Sequence, residues 1–153
     1  MNVTFVNPFL KATNETFKTM MGIEPEMGKP VLKNMSEPRY DVSGVIGLSG
    51  EAQGTIAISF SKITALRVVS KMLGVELKIV NSDLTDGVGE IANIIAGYSK
   101  QYFTDYKISI SLPNVIIGSR HELVSPTSVN AIVVPYTCEL GDFALEIALK
   151  TVK

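Results

Sequence analysis

The sequence predicts an α+β domain: a largely antiparallel sheet with packed helices. Three observations lead there. Helical and strand periods follow in the order helix, strands, helix, helix, strands. Two pairs of β-prone runs are each separated by a short turn segment, the mark of a hairpin. A helix followed by a hairpin occurs in both halves, over residues 7–60 and 82–152, as a duplication of organisation and not of residue identity. With 153 residues, 46% hydrophobic and 19% charged, the chain can bury a core of its own, and residues 1–153 are expected to form one domain.

The first helix is expected from Asn7 as N-cap and Pro8 at the first helical position, where a missing N–H costs nothing. Val6, Phe9, Leu10, Thr13, Phe17, Met20 and Met21 follow at helical spacing, and Gly22 ends it. "IEPEMGKP" reads as a turn-rich connection, with a short strand expected over 31–35. "YDVSGVIGL" and "GTIAISF" form a hairpin around "SGEAQ"; in the second run Ile56, Ile58 and Phe60 share one face. Residues 61–73 read as a helix capped by Ser61 and stopped by Gly74, with Ile63, Leu66, Val69 and Leu73 as its buried stripe. A long helix is expected from about residue 82 to 104. Short strands at 108–112 and 114–118 precede a last hairpin, "SVNAIVVPYTC" and "FALEIALKTV" around "ELGD", whose apolar density points to central positions in the sheet.

The long helix contains "DGVGEIANIIAG", with three glycines and an asparagine, although each interior glycine costs about 1 kcal/mol relative to alanine. At 100° per residue, Leu84, Val88, Ile91, Ile95, Tyr98 and Tyr102 form one apolar stripe. Asp86, Glu90, Asn93, Gly97 and Lys100 form a polar line on the opposite side, one above another. Small residues in and beside that line, Gly89 and Gly97 among them, open the helix surface to close approach by another molecule. The alternative for a helix glycine is clearance for a neighbouring helix of the same chain.

"DGVGEIANIIAG" resembles the active-site helix of the CheC/CheX/FliY family of chemotaxis phosphatases, whose motif is Asp or Ser, three residues, Glu, two residues, Asn, and a later Pro. Asp86, Glu90 and Asn93 match in order and spacing, and Pro113 in "SLPNVIIG" matches the proline. "VNPFLKATNETFKTMMGIEPEMGKP" and "VIGLSGEAQGTIAISFSKITALRVVSKMLG" are similar to the N-terminal helix and the following hairpin and helix of the CheX branch. Related CheC-type members carry the Glu/Asn pair on both pseudo-repeat helices. Here Glu15 is followed three residues later by Lys18, so one site per chain is expected.

The resemblance implies a CheC-like fold and a phosphorylated CheY-type response regulator as substrate. It gives Asn93 the role of orienting the attacking water, and has Glu90 pair with the regulator's active-site lysine. Asp86, Gly89, Gly97 and Lys100 are expected to face the partner, with Asp86 also favoured by the helix dipole in the first turns. Mg²⁺ is expected on the regulator and no cofactor on this chain. A homodimer joined through sheet edges is also implied. The alternative is a non-catalytic docking module that sequesters a regulator or a flagellar-switch component.

The residues themselves fit such chemistry. An acyl phosphate is already activated, so no covalent nucleophile is required; no Ser/His/Asp array is recognisable, and Cys138 lacks an adjacent base. His121 has no spaced partner for a metal and reads as a surface loop residue. A net charge of −1 without a Lys/Arg cluster argues against nucleic acid. No apolar run reaches the length of a membrane span, and residues 1–15 lack the charged start and apolar core expected of a signal peptide. The single cysteine points to a reducing, cytoplasmic compartment.

Overall fold

The computed structural model describes residues 3–33, 40–124 and 130–151. In chain order the elements are α1 (Val3–Met21), β1 (Glu26–Met27), β2 (Val31–Leu32), β3 (Tyr40–Gly50), β4 (Ala52–Phe60), α2 (Lys62–Leu73), α3 (Ser82–Lys100), β5 (Ile108–Ile110), β6 (Asn114–His121), β7 (Ile132–Cys138) and β8 (Gly141–Thr151). Every strand pairing among the described residues is antiparallel. The sheet order is β1-β7-β8-β4-β3-β5, with β2 also on β7 and β6 also on β3. The α+β class and the helix-plus-hairpin halves are as expected, and the halves meet where β4 runs beside β8 in register Ile56↔Ile147. The expected strand extensions at 34–35, 128–129 and 152 lie outside the described residues.

Alternation places Val42, Gly44, Ile46, Ile58 and Leu145 on the face that the helices cover. Phe17 of α1 stacks on Phe143 at 4.6 Å between ring centroids, and Tyr136 stacks on Phe143 at 4.9 Å. All three rings are fully or almost fully buried, which docks α1 onto the β7–β8 half of the sheet. Phe9 and Phe103, 5.4 Å apart, close the core at the far end of α1.

Several boundaries differ from expectation for a physical reason. α1 begins at Val3, so Asn7 does not cap it and Pro8 lies inside. Burial of Phe5 and Val6 draws the earlier turn into the helix, at the loss of one backbone hydrogen bond at Pro8. Gly22 ends α1 at φ 68°, and its N–H donates to the Lys18 carbonyl at 3.0 Å. α2 keeps its Ser61 cap and its Gly74 stop, at φ 73°. Of the expected stripe, Val69 is buried and Leu66 packs half-buried against the core, while Ile63 and Leu73 are exposed; Thr64, Ala65 and Val68 complete the buried face instead. The expected turn-rich connection contains β1. Pro135 separates β1 from β2 along β7: it has no N–H to offer an outer strand, and Gly28 donates to its carbonyl instead at 2.7 Å.

The opposite face of the sheet is not bare. Ser43 Oγ lies 2.6 Å from Ser59 Oγ and 2.7 Å from His121 Nε2, and His121 Nδ1 lies 2.9 Å from the Gly118 carbonyl. His121 is therefore the half-buried last residue of β6 and not a surface loop residue. Beside this chain, Lys33 and Glu146 form an ion pair at 3.1 Å with side chains only 17% and 15% exposed.

Candidate functional site

α3 starts where the Asn81 side chain accepts from the Leu84 N–H at 3.2 Å, and Asp83 in the first turn and Lys100 in the last match the helix dipole. Leu84, Val88, Ile91 and Ile95 are buried, as the spacing requires. The helix ends at Lys100 and not near residue 104, and Tyr102 beyond it is exposed, correcting the last member of the stripe. There Tyr102 donates from its hydroxyl to Glu15 at 2.9 Å and lies under Lys11. Glu15, the counterpart position in the first half, is thus engaged within the chain.

The polar line is present. Asp86, Glu90, Gly97 and Lys100 are exposed and Asn93 is half-buried. Among the described residues, no hydrogen bond or ion pair engages the side chains of Glu90 or Asn93. A carboxylate and a carboxamide one turn apart therefore stand open, and the carboxamide can donate and accept at once.

The glycines divide by what surrounds them. A Cβ on Gly87 would come within 2.5 Å of Val69 Cγ1, so this glycine lets α2 pack against α3. Gly44 of β3 serves the same end from the sheet: a Cβ there would lie 3.0 Å from Ala92 Cβ. Gly89 is buried beside Pro113 and Val115, at 3.5 and 3.4 Å from a Cβ, so the space over it is filled by the chain itself. The expected clearance for a partner is therefore not found at Gly89. Gly97 has nothing described within 4 Å and is the open one, which removes the neighbouring-helix alternative there.

A further tie within the fold comes from residues whose role no local pattern announces. Asp41 Oδ1 accepts from the Arg120 N–H at 3.0 Å and Oδ2 from the Lys62 N–H at 2.9 Å, so one carboxylate ties β3 to β6 and to the first turn of α2. The Arg120 hydrogen bond, then that of Lys62, holds its pKa below the ordinary 3.8. Arg120 has φ 50°, at the irregularity where the β3–β6 register shifts. Among the described residues, no group of three or more His, Cys, Asp and Glu side chains is placed to hold a metal, and no helix is long and apolar enough to cross a membrane.

Residues 42–137 match the family model described as chemotaxis phosphatase CheX. The CheY-P phosphatase CheX of Thermotoga maritima is 31% identical over 131 residues, 85% of this chain and 77% of that protein. Among solved structures, the CheC-like superfamily protein of Shewanella sp. PV-4 superposes with a TM-score of 0.90 at 33% identity, covering 98% of this chain and 99% of that one. CheX in the CheX–CheY–BeF3–Mg²⁺ complex of Borrelia burgdorferi superposes at 0.80 with 29% identity, covering 95% and 97%. With the fold, the single polar line and the family model in agreement over most of its length, the chain belongs to the CheX family of chemotaxis phosphatases.

Proposed function

We propose that this protein is a response-regulator phosphatase that hydrolyses the aspartyl phosphate of a phosphorylated CheY-type regulator. The observation that carries the reading is the open Glu90–Asn93 pair, one turn apart on the solvent face of α3, within a chain whose relatives include a CheY-P phosphatase. Docked by this face, the Asn93 carboxamide enters the regulator's phosphorylation site. Its oxygen accepts a hydrogen bond from a water and holds that water in line with the phosphorus. The water oxygen bonds to phosphorus as the bond to the aspartyl oxygen breaks, which returns a free carboxylate and inorganic phosphate. This is the positioning that a glutamine supplies to attacking water in GTPases. Glu90 pairs with the regulator's active-site lysine and fixes the register of the two proteins.

Mg²⁺ belongs to the regulator, as in the Borrelia complex that contains CheY, BeF3 and Mg²⁺. Asp86, Gly97 and Lys100 complete the partner-facing line. A cytoplasmic location and a homodimer joined through sheet edges belong to the same reading. The outer backbone edge of β6, unpaired among the described residues, is compatible with that dimer.

The test is the decay of a phosphorylated CheY-type regulator with Mg²⁺, alone, with the native protein, and with Asn93→Ala. Acceleration by the native protein that is lost in a folded Asn93→Ala supports the assignment. Binding without acceleration by either protein returns the docking-module reading.

A further inference from the structure

One residue before Pro113, which packs beside Gly89 of α3, stands a side chain that the fold leaves in solvent. Leu112, between β5 and β6, is 85% exposed. Its backbone is nevertheless held firmly. The Ser111 N–H donates to the Gly47 carbonyl at 2.9 Å, the Gly47 N–H donates to Ser111 Oγ at 2.8 Å, and Ser111 Oγ donates to the Leu112 carbonyl at 2.9 Å. On the other side Pro113 is restricted in φ and its ring lies next to Gly89. Gly89 in turn is flanked on the helix surface by Asp86, Glu90 and Asn93, at spacings of three, one and four. The segment that packs beside Gly89 thus carries a solvent-exposed leucine, one residue from Pro113, on a backbone already ordered. Such an anchor binds without a further cost of ordering its loop. Ile117, on the same face of β6 as Val115, is 47% exposed and adds apolar surface along that strand.

We propose that Leu112 is an apolar contact residue for the docked receiver domain, seated on an apolar patch beside the regulator's phosphorylation site, and that it sets affinity and partner choice but not the chemical step. This rests on the phosphatase reading above. Glu90 and Asn93 address groups that every phosphorylated receiver of this type must carry, so they discriminate little between regulators. An apolar contact at the rim meets surface that differs from one receiver to another.

The test compares native protein, Leu112→Ser, Leu112→Met and a control, Ile63→Ser, which removes a similarly exposed side chain (61%) from α2. Two quantities are read: steady-state hydrolysis of a phosphorylated CheY-type receiver, and the Kd for the same receiver activated with Mg²⁺ and beryllofluoride. Leu112→Ser is expected to raise KM and Kd about tenfold, the lower end of what burying a leucine side chain gives, with kcat unchanged. Leu112→Met is expected to stay close to native, and Ile63→Ser to change neither quantity. Unchanged KM and Kd in Leu112→Ser overturn the proposal, as does a fall in kcat at unchanged KM. If the native protein binds without accelerating decay, the phosphatase reading fails by itself. The Kd series then decides Leu112: a tenfold loss in Leu112→Ser sustains the contact, and equal Kd values remove it.

Discussion

The ring of Pro113 lies beside Gly89 so closely that a Cβ on the glycine would sit 3.5 Å from Pro113 Cγ, an ordinary contact and not a clash. Gly87, two residues earlier, would place its Cβ 2.5 Å from Val69 Cγ1. The two glycines of one helix turn thus face different constraints. Gly87→Ala is expected to destabilise the fold by about 1–3 kcal/mol through overpacking against α2. Gly97→Ala, which meets open space, is expected to stabilise it by about 1 kcal/mol through helix propensity. Urea denaturation measures both. Gly97→Ala is also expected to raise KM for a phosphorylated regulator, because it fills surface in the line that meets the partner.

Charge at Glu90 should govern docking. Glu90→Lys places a cation against the regulator's lysine and is expected to weaken binding of an activated receiver at least tenfold, with Glu90→Gln intermediate. Titrations at two salt concentrations check the cause: affinity of the native pair falls with salt, and that of Glu90→Lys does not fall further.

Asp41 gives the fold a defined acid response. Its folded pKa is below 3.8, so its contribution to stability is fully present above that value and lost as pH falls through the lowered folded pKa. Asp41→Asn is therefore expected to flatten the stability curve below about pH 4. The variant should also be less stable at neutral pH, since it has one acceptor oxygen for the Arg120 and Lys62 N–H groups. Thermal melts between pH 2.5 and 7 would show a parallel curve if Asp41 were not the group responsible.

The aromatic stack separates packing from polarity. The Tyr136 hydroxyl is buried and makes no hydrogen bond of good geometry among the described residues; burial pushes its pKa up to about 12, against a smaller opposing effect of the nearby Thr13 hydroxyl. Tyr136→Phe is accordingly expected to lie within about 1 kcal/mol of native, because it removes a buried hydroxyl whose burial Thr13 offsets only in part, without changing shape. Phe143→Ala, which empties the centre of the stack, is expected to cost about 3–5 kcal/mol. A loss of more than about 1 kcal/mol in Tyr136→Phe would mean that the hydroxyl has a strong partner.

The sequence by itself determined the class of fold, both hairpins, the capping of α2 by Ser61 and Gly74, the stop of α1 at Gly22, and the polar line Asp86–Glu90–Asn93–Gly97–Lys100. Each of these follows from local physics: turn chemistry, caps, and periods of two and 3.6 residues, which act within a few residues along the chain. Only the tertiary structure decided which residues complete the buried face of α2. Val69 is buried as its spacing predicts, where Gly87 lets it approach, but Thr64, Ala65 and Val68 join it while Ile63 and Leu73 stay exposed. Tertiary pairing likewise made β1 out of Glu26–Met27, because a two-residue strand exists only when β7 offers it an edge on the far side of Pro135. It placed His121 against Ser43, 78 positions away in sequence, and Pro113 against Gly89. It also left Leu112 in solvent, one residue from the Pro113 that packs on Gly89. These are contacts between residues far apart in the chain, set by the packing of helices on a sheet, and no periodicity within either segment encodes them.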